Sequence, residues 1–255
     1  MEAKTFNWKQ DNTELFGQYW KNDSAKAIVA IVHGMGEHSS RYADFVVPQL
    51  LAADYSVIAF DQFGHGKTNG KRGHCPGYDA VLNSVENLLS KSDEYLGSNI
   101  PTFLYGHSMG ALMANLVVQN LSERKAPLPK HVVVSSYPAP KHHHDRGRGQ
   151  MDDLAFIKHM KQLDGLPPRL LNEPSLMRVF LPILRADITA IDNYRYESTD
   201  KFDVPLTVLF GSKEEQLQRV ILDWQQECAQ RITVQRMAGG HFFIFEDLGK
   251  MMALF

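Results

Sequence analysis

From Thr102 to Leu121 an apolar, strand-like run, TFLY, passes through Gly106-His107-Ser108-Met109-Gly110 straight into a helix-like stretch, ALMANLVVQNL. Reversing from strand to helix across one residue crowds the backbone, and glycine on either side of the apex removes the Cβ atoms that would collide. The pattern predicts a sharp turn with the Ser108 hydroxyl exposed at the carboxyl end of a strand and a helix N-terminus beneath it, the setting of a nucleophilic serine. The plainer alternative is a glycine-bracketed turn without chemistry.

Such a turn belongs in an α/β sheet, and the rest of the chain has that rhythm. Thr5 to Gln10 and Leu15 to Trp20, separated by Asp11-Asn12-Thr13, read as an opening hairpin. Ala27 to Val32, Ser56 to Phe60, Thr102 to Tyr105, Val132 to Val134, Leu206 to Phe210 and Ile232 to Met237 read as further strands, several apolar at consecutive positions as in a sheet covered on both faces. Tyr42 to Ala53, Tyr78 to Tyr95, Ala111 to Leu121 and Glu214 to Ala229 read as helices between them. The expected fold is a mainly parallel sheet with helices on both faces. From Met151 to Tyr196 there is no strand pattern, only two helical pieces divided by GLPPRLLNEP, which predicts a helical cap over the carboxyl edge of the sheet. The expected organisation is a core of residues 1–147 and 198–255 with a cap, or lid, of residues 148–197. Its stripe of Leu154, Phe156, Ile157, Phe180, Ile183 and Leu184 suits an acyl chain or packs on the core.

A serine nucleophile needs a base. His241, in AGGHFFIFED, lies in a loop after the final strand and satisfies the order serine, acid, histidine of this architecture. The backbone N–H groups of Met109 and of Met35, which follows His33-Gly34, are the expected oxyanion donors. Other chemistries rank below. A formal charge of -2 offers no field for nucleic acid. Cys75 and Cys228 are too few for a disulfide scaffold or thiolate metal site, and are expected to be free. Adjacent His142, His143 and His144 cannot all converge on one ion, so neither a metal nor a cofactor is expected. GHGKTNG lacks phosphate-loop spacing, and its Asp61, His65 and Gly66 are expected to shape a turn. No stretch has signal-peptide character or the roughly 18 apolar residues of a membrane span, which predicts a soluble cytoplasmic protein without a transmembrane segment.

Residues 1 to about 140 resemble the monoacylglycerol lipase and lysophospholipase group of the α/β-hydrolase superfamily, in "GQYW", "IVHGMGEHSSRYADF", "YSVIAFDQFGHGKTNGKRGHCPGYDA" and "FLYGHSMGALMA". The glycine pair that usually ends the last motif is Gly110-Ala111 here. Residues 151–247 resemble the type II thioesterases, in "MDDLAFIKHMKQLDGLPPRLL", "LPILRADITAIDNYRYE", "VPLTVLFGSKEE", "WQQECA" and "GGHFFIFED". Both groups share the fold and the triad, so one chain can carry both signatures as a mosaic or a chimera. The resemblance implies a serine hydrolase that acts through an acyl-enzyme on a small-molecule acyl ester, monoacylglycerol foremost. The alternative it implies is an acyl thioester on pantetheine or an acyl carrier protein. A non-catalytic binding or scaffold protein on the same fold is the remaining class.

Both groups usually place an aspartate three residues after the glycine that ends the acid-bearing strand. Counting from Gly211, that place holds Glu214, with Glu215 one residue on as its rival. Asp145 is a third candidate, because some thioesterases take the acid from an earlier strand end. Few residues follow His241, so Phe242, Phe243, Ile244 and Phe245 are expected to form an exposed patch that drives homodimerisation through the C-terminal region or lowers stability.

Overall fold

The computed structural model describes residues 2–143, 147–162 and 173–246. The candidate acid Asp145, His144 and residues 247–255 lie outside the described residues. Eight strands form one sheet in the order β1-β2-β4-β3-β5-β6-β7-β8. β1 (Lys4–Gln10) and β2 (Thr13–Trp20) make the predicted hairpin, with Asp11 and Asn12 at positive φ in its turn, a conformation that short polar side chains tolerate. β2 runs antiparallel to β4 (Tyr55–Phe60); β3 (Ala27–Val32), β5 (Thr102–His107), β6 (His131–Ser135), β7 (Leu206–Gly211) and β8 (Thr233–Met237) complete the sheet in parallel. Every residue of β3, β4 and β7 is buried, hence their largely apolar runs, broken only by Ser56 in β4 and Thr207 in β7. α2 (Tyr78–Leu96) and α3 (Met109–Glu123) cover one face, and α1 (Val46–Ala52) with the turn Phe243–Phe245 covers the other.

The helical insertion supplies α4 (Asp153–Gln162) and α5 (Pro174–Asn193). α5 starts on a proline, which costs nothing where the N–H has no helical acceptor. Its residues Met177, Leu184 and Ile188, at helical spacing, join Phe156 and Met160 of α4 in a small core. Met35 packs against both this cluster and the main core, so the loop after β3 is wedged between sheet and cap. Of the expected apolar stripe, Phe156, Ile183 and Leu184 are buried, whereas Leu154 is 83% exposed. Two aspartates interrupt the buried stripe of α5. One, Asp192, accepts the Arg148 backbone N–H at 2.8 Å and its Nε–H at 2.9 Å, which ties the start of the insertion to its last long helix.

Three expectations are corrected. The helix read over Glu214 to Ala229 is one turn, α6 (Glu215–Gln218), followed by a 3-10 helix, Ile221–Gln226. Tertiary contacts divide it: Trp224 Nε1 donates to Tyr137 O at 3.1 Å, and Cys228 bridges to Phe202. The helix read over Tyr42 to Ala53 begins only at Val46, because Tyr42 is buried with its hydroxyl on Glu37. Phe243 and Ile244 are fully buried, and the Arg41 guanidinium lies over the Phe242 and Phe245 rings at 4.3 and 4.6 Å. The exposed run that motivated the homodimer is therefore covered among the described residues.

Breaking a buried ion pair leaves an uncompensated charge, at a cost of about 3–5 kcal/mol. Asp192→Ala is expected to lower the stability measured by urea unfolding by about that amount. Lys21→Ala, which removes an ion pair exposed on both sides, is expected to leave the unfolding midpoint unchanged.

Candidate active site

β3, β5, β7 and β8 run parallel, so the loops after them gather at one edge of the sheet and bring the expected site residues together. At the end of β5 the chain turns on Ser108, with φ 52° and ψ -123°, a conformation costly for a residue with a side chain. A Cβ at Gly106 would strike the Gly110 carbonyl, and one at Gly110 would strike the carbonyl of Val32, so both glycines are demanded by close backbone approach. The Ser108 N–H donates to Ser135 O at 2.8 Å, which pins the apex to β6.

The loop after β3 lies against this apex: a Cβ on Gly34 would sit 3.1 Å from the Ser108 Cβ. Buried Glu37 accepts the Gly34 N–H at 2.9 Å and the Tyr42 hydroxyl at 2.7 Å, and pairs with Arg41 at 2.6 Å. Asp187 of α5 accepts the Gly36 N–H at 2.9 Å. Among the described residues the N–H groups of Met35 and Met109 make no hydrogen bond, so both are free to donate to an incoming oxygen.

After β7, Glu214 is held at both oxygens. Its Oε2 accepts the Gly211 N–H at 2.8 Å and the Ser136 hydroxyl at 3.0 Å, and its Oε1 lies 2.9 Å from His241 Nδ1. A Cβ at Gly211 would strike the Gly240 carbonyl, so glycine allows the loops after β7 and β8 to meet. Burial pushes the Glu214 carboxyl up, but the hydrogen bond and charge of His241, aided by Gly211 and Ser136, outweigh it and hold the group below its usual range. A carboxylate at Nδ1 selects the tautomer protonated there, which leaves His241 Nε2 as an acceptor. Beside it the buried His107 ring, 5.0 Å away, is driven well below the ordinary imidazole range by burial and then by His241, and packs as a neutral group.

Glu215, the rival acid, is exposed in α6 and takes no part in this pair. Asp61 accepts the N–H groups of Ser39 and Lys67, both at 2.7 Å, and so shapes the turn that was expected of it. His142 pairs with Asp223 at 2.5 Å, and no group of residues among those described could hold a metal. Both cysteines are free, and no helix among the described residues is long and apolar enough to cross a membrane. Sequence reading misses Glu37, Ser136 and Asp187. The glutamate three places after Gly34 is a local signal that could have been read; the partners of the other two are distant in the chain.

The family described as Serine aminopeptidase, S33, matches residues 23–171, more than half of the chain. Thioesterase PikA5 of Streptomyces venezuelae is 27% identical over 225 residues, which covers 87% of this chain and 76% of PikA5. The monoglyceride lipase of Homo sapiens is 37% identical over 108 residues, 42% of this chain and 35% of the lipase. The chain spans 61% to 62% of the length of other curated relatives, from gramicidin S and anguibactin biosynthesis. Among solved structures, the RedJ thioesterase from the prodiginine pathway of Streptomyces coelicolor has the same fold, with a TM-score of 0.75 at 23% identity over 92% of this chain and 91% of that one. Lipase-like and thioesterase-like relatives thus meet in one sequence. The chain belongs to the serine aminopeptidase S33 family of the α/β-hydrolase superfamily.

Proposed function

We propose that the protein hydrolyses acyl thioesters, carried on pantetheine or on a carrier protein, through an acyl-enzyme on Ser108. The observation that carries this reading is the reach of the thioesterase match, which covers 87% of the chain against 42% for the human lipase. It reverses the order expected from sequence, where the ester came first. Hydrolysis of a small carboxylic ester such as a monoacylglycerol is the second reading, favoured by the higher identity of that lipase match, 37%.

In this reading His241 Nε2 removes the Ser108 proton as Oγ attacks the acyl carbonyl, and the Met35 and Met109 N–H groups stabilise the oxyanion. His241 returns the proton to the departing thiol. Water, deprotonated by the same nitrogen, then releases the acid and restores Ser108. Glu214 keeps the imidazole in the working tautomer and stabilises its protonated form. Among the described residues Ser108 Oγ has no hydrogen-bond partner, and its bond to His241 is one that forms as substrate binds. Residues 148–197 act as the cap over a core of 1–147 and 198–255. Between α2, α3 and α5 a cavity of about 370 Å³ starts at Met109, beside the nucleophile, and continues past Leu82, Leu112, Leu116 and Ile191. That volume and its largely apolar lining suit an acyl chain.

A fluorophosphonate is expected to label the native protein once, and Ser108→Ala to abolish labelling; a labelled S108A protein would remove the nucleophile assignment. Glu214→Gln is expected to lower kcat by about 10³- to 10⁴-fold by releasing the imidazole tautomer. Glu214→Asp withdraws the carboxylate by one methylene and is expected to cost about 100-fold. Because the folded-state pKa of Glu214 is depressed, the stability it contributes is present at neutral pH and lost as pH falls through that depressed value. The gap in unfolding free energy between wild type and E214Q should therefore close in acid. For substrate class, kcat/KM for an acyl-pantetheine should exceed that for a monoacylglycerol of equal chain length by tenfold or more, about 1.4 kcal/mol of transition-state binding. A tenfold preference the other way would establish the ester reading instead.

A further inference from the structure

Asp187 stands in the buried stripe of α5, only 7% exposed, where an apolar residue would pack without desolvation cost. Its carboxylate is retained against two donors from the sheet edge. Oδ2 accepts the Gly36 N–H at 2.9 Å and lies 2.9 Å from Nε2 of His65, itself 5% exposed. Burial alone would push the His65 imidazole down, but the charge and hydrogen bond of Asp187 outweigh it and raise the pKa. His65 also faces Asp61 and the ring of His33, whose centroid is 5.2 Å away.

The consequence lies in the loop. The Gly34 N–H is bound by Glu37 and the Gly36 N–H by Asp187, so the planar peptide units before and after the one that carries the Met35 N–H are each fixed by a buried carboxylate. The unit between them carries the Met35 N–H, which has no partner among the described residues. Two clamps around one free amide are what a preorganised donor requires, since the group must be aimed before charge develops on the substrate. Glu37 belongs to the loop itself, but Asp187 belongs to the cap. The Leu184 side chain of the same helix also closes on Gly36, so tightly that a Cβ there would collide with it.

We infer that Asp187 is a positioning residue for the oxyanion donor, and that the Met35 amide is correctly aimed only while α5 is seated on the loop after β3. The inference rests on the serine-hydrolase reading above. In it the cap contributes to the chemical step as well as to binding: a cap displaced from Gly36 leaves Ser108 and His241 in place but mis-aims one donor.

The test compares Asp187→Ala, Asp187→Asn and Asp192→Ala with wild type on p-nitrophenyl butyrate, with fluorophosphonate labelling of Ser108 measured in parallel. D187A is expected to lose about 10- to 100-fold in kcat with KM within about threefold, the cost of a donor displaced by up to about 1 Å. D187N can set its carbonyl oxygen at the place of Oδ2, where it accepts the Gly36 N–H and the Nε2–H of a neutral His65, and is expected to stay within about threefold of wild-type kcat. D192A loosens the other end of the same helix without touching Gly36, and is expected to keep kcat within about threefold although it is less stable. If D187A and D192A lose kcat alike, or D187A loses none, Asp187 is a fastener of the cap and the inference falls. A wild-type protein that is neither labelled nor active overturns the serine-hydrolase reading and this inference with it. Labelled, active wild type with an insensitive D187A overturns the inference alone. Should D187A fail to fold, amide exchange of the wild type decides: Gly36 should be protected at least tenfold more than Met35, and equal exchange would overturn the proposal.

Discussion

The carbonyl oxygens of Val32 and Gly110 leave no space for a Cβ at residues 110 and 106, and this backbone crowding organises the site. It lets β5 reverse into α3 within one residue, holds Ser108 in a strained conformation and brings the end of β3 against it. Because β3 and β5 are adjacent parallel strands, the loop after one necessarily lies beside the loop after the other. A second close approach, Gly211 against Gly240, does the same for the loops after β7 and β8. The sheet sets which loops are neighbours, and the missing side chains set how near they come.

Buried carboxylates then fasten what the glycines allow. Glu37 binds the Gly34 N–H, Asp61 those of Ser39 and Lys67, Asp187 that of Gly36, Asp192 that of Arg148 and Glu214 that of Gly211. Loop amides at a sheet edge have no ladder partner, and a buried acid has no water; each satisfies the other with a charge-assisted bond. Glu214 shows how this bears on function. One of its oxygens is tied to the scaffold through Gly211 and Ser136, and the other is left for His241, so both ends of the carboxylate are held.

Much of this was legible. The apolar runs located all eight strands to within a few residues because burial on both faces imposes a local pattern. Counting from Gly211 put Glu214, the acid that meets His241, first among three candidates, since chain geometry after a strand end is also local. The single helix read over Glu214 to Ala229 failed where Trp224 and Cys228 are drawn to partners far away in sequence. The exposed aromatic run failed for a similar reason: its cover includes Arg41, at the opposite end of the chain.

By itself the sequence determined the order of strands and helices, the glycines at the turns and the residue types able to attack, accept a proton and hold a histidine. These follow from periodicity and steric demand, which act between near neighbours. Only the tertiary structure decided which carboxylate meets which amide, that Glu214 rather than Glu215 faces His241, and that a helix of the cap grips the loop bearing Met35. A hydrogen bond is chosen by distance in space, and nothing local to Gly36 or Asp187 records that folding will bring them to 2.9 Å.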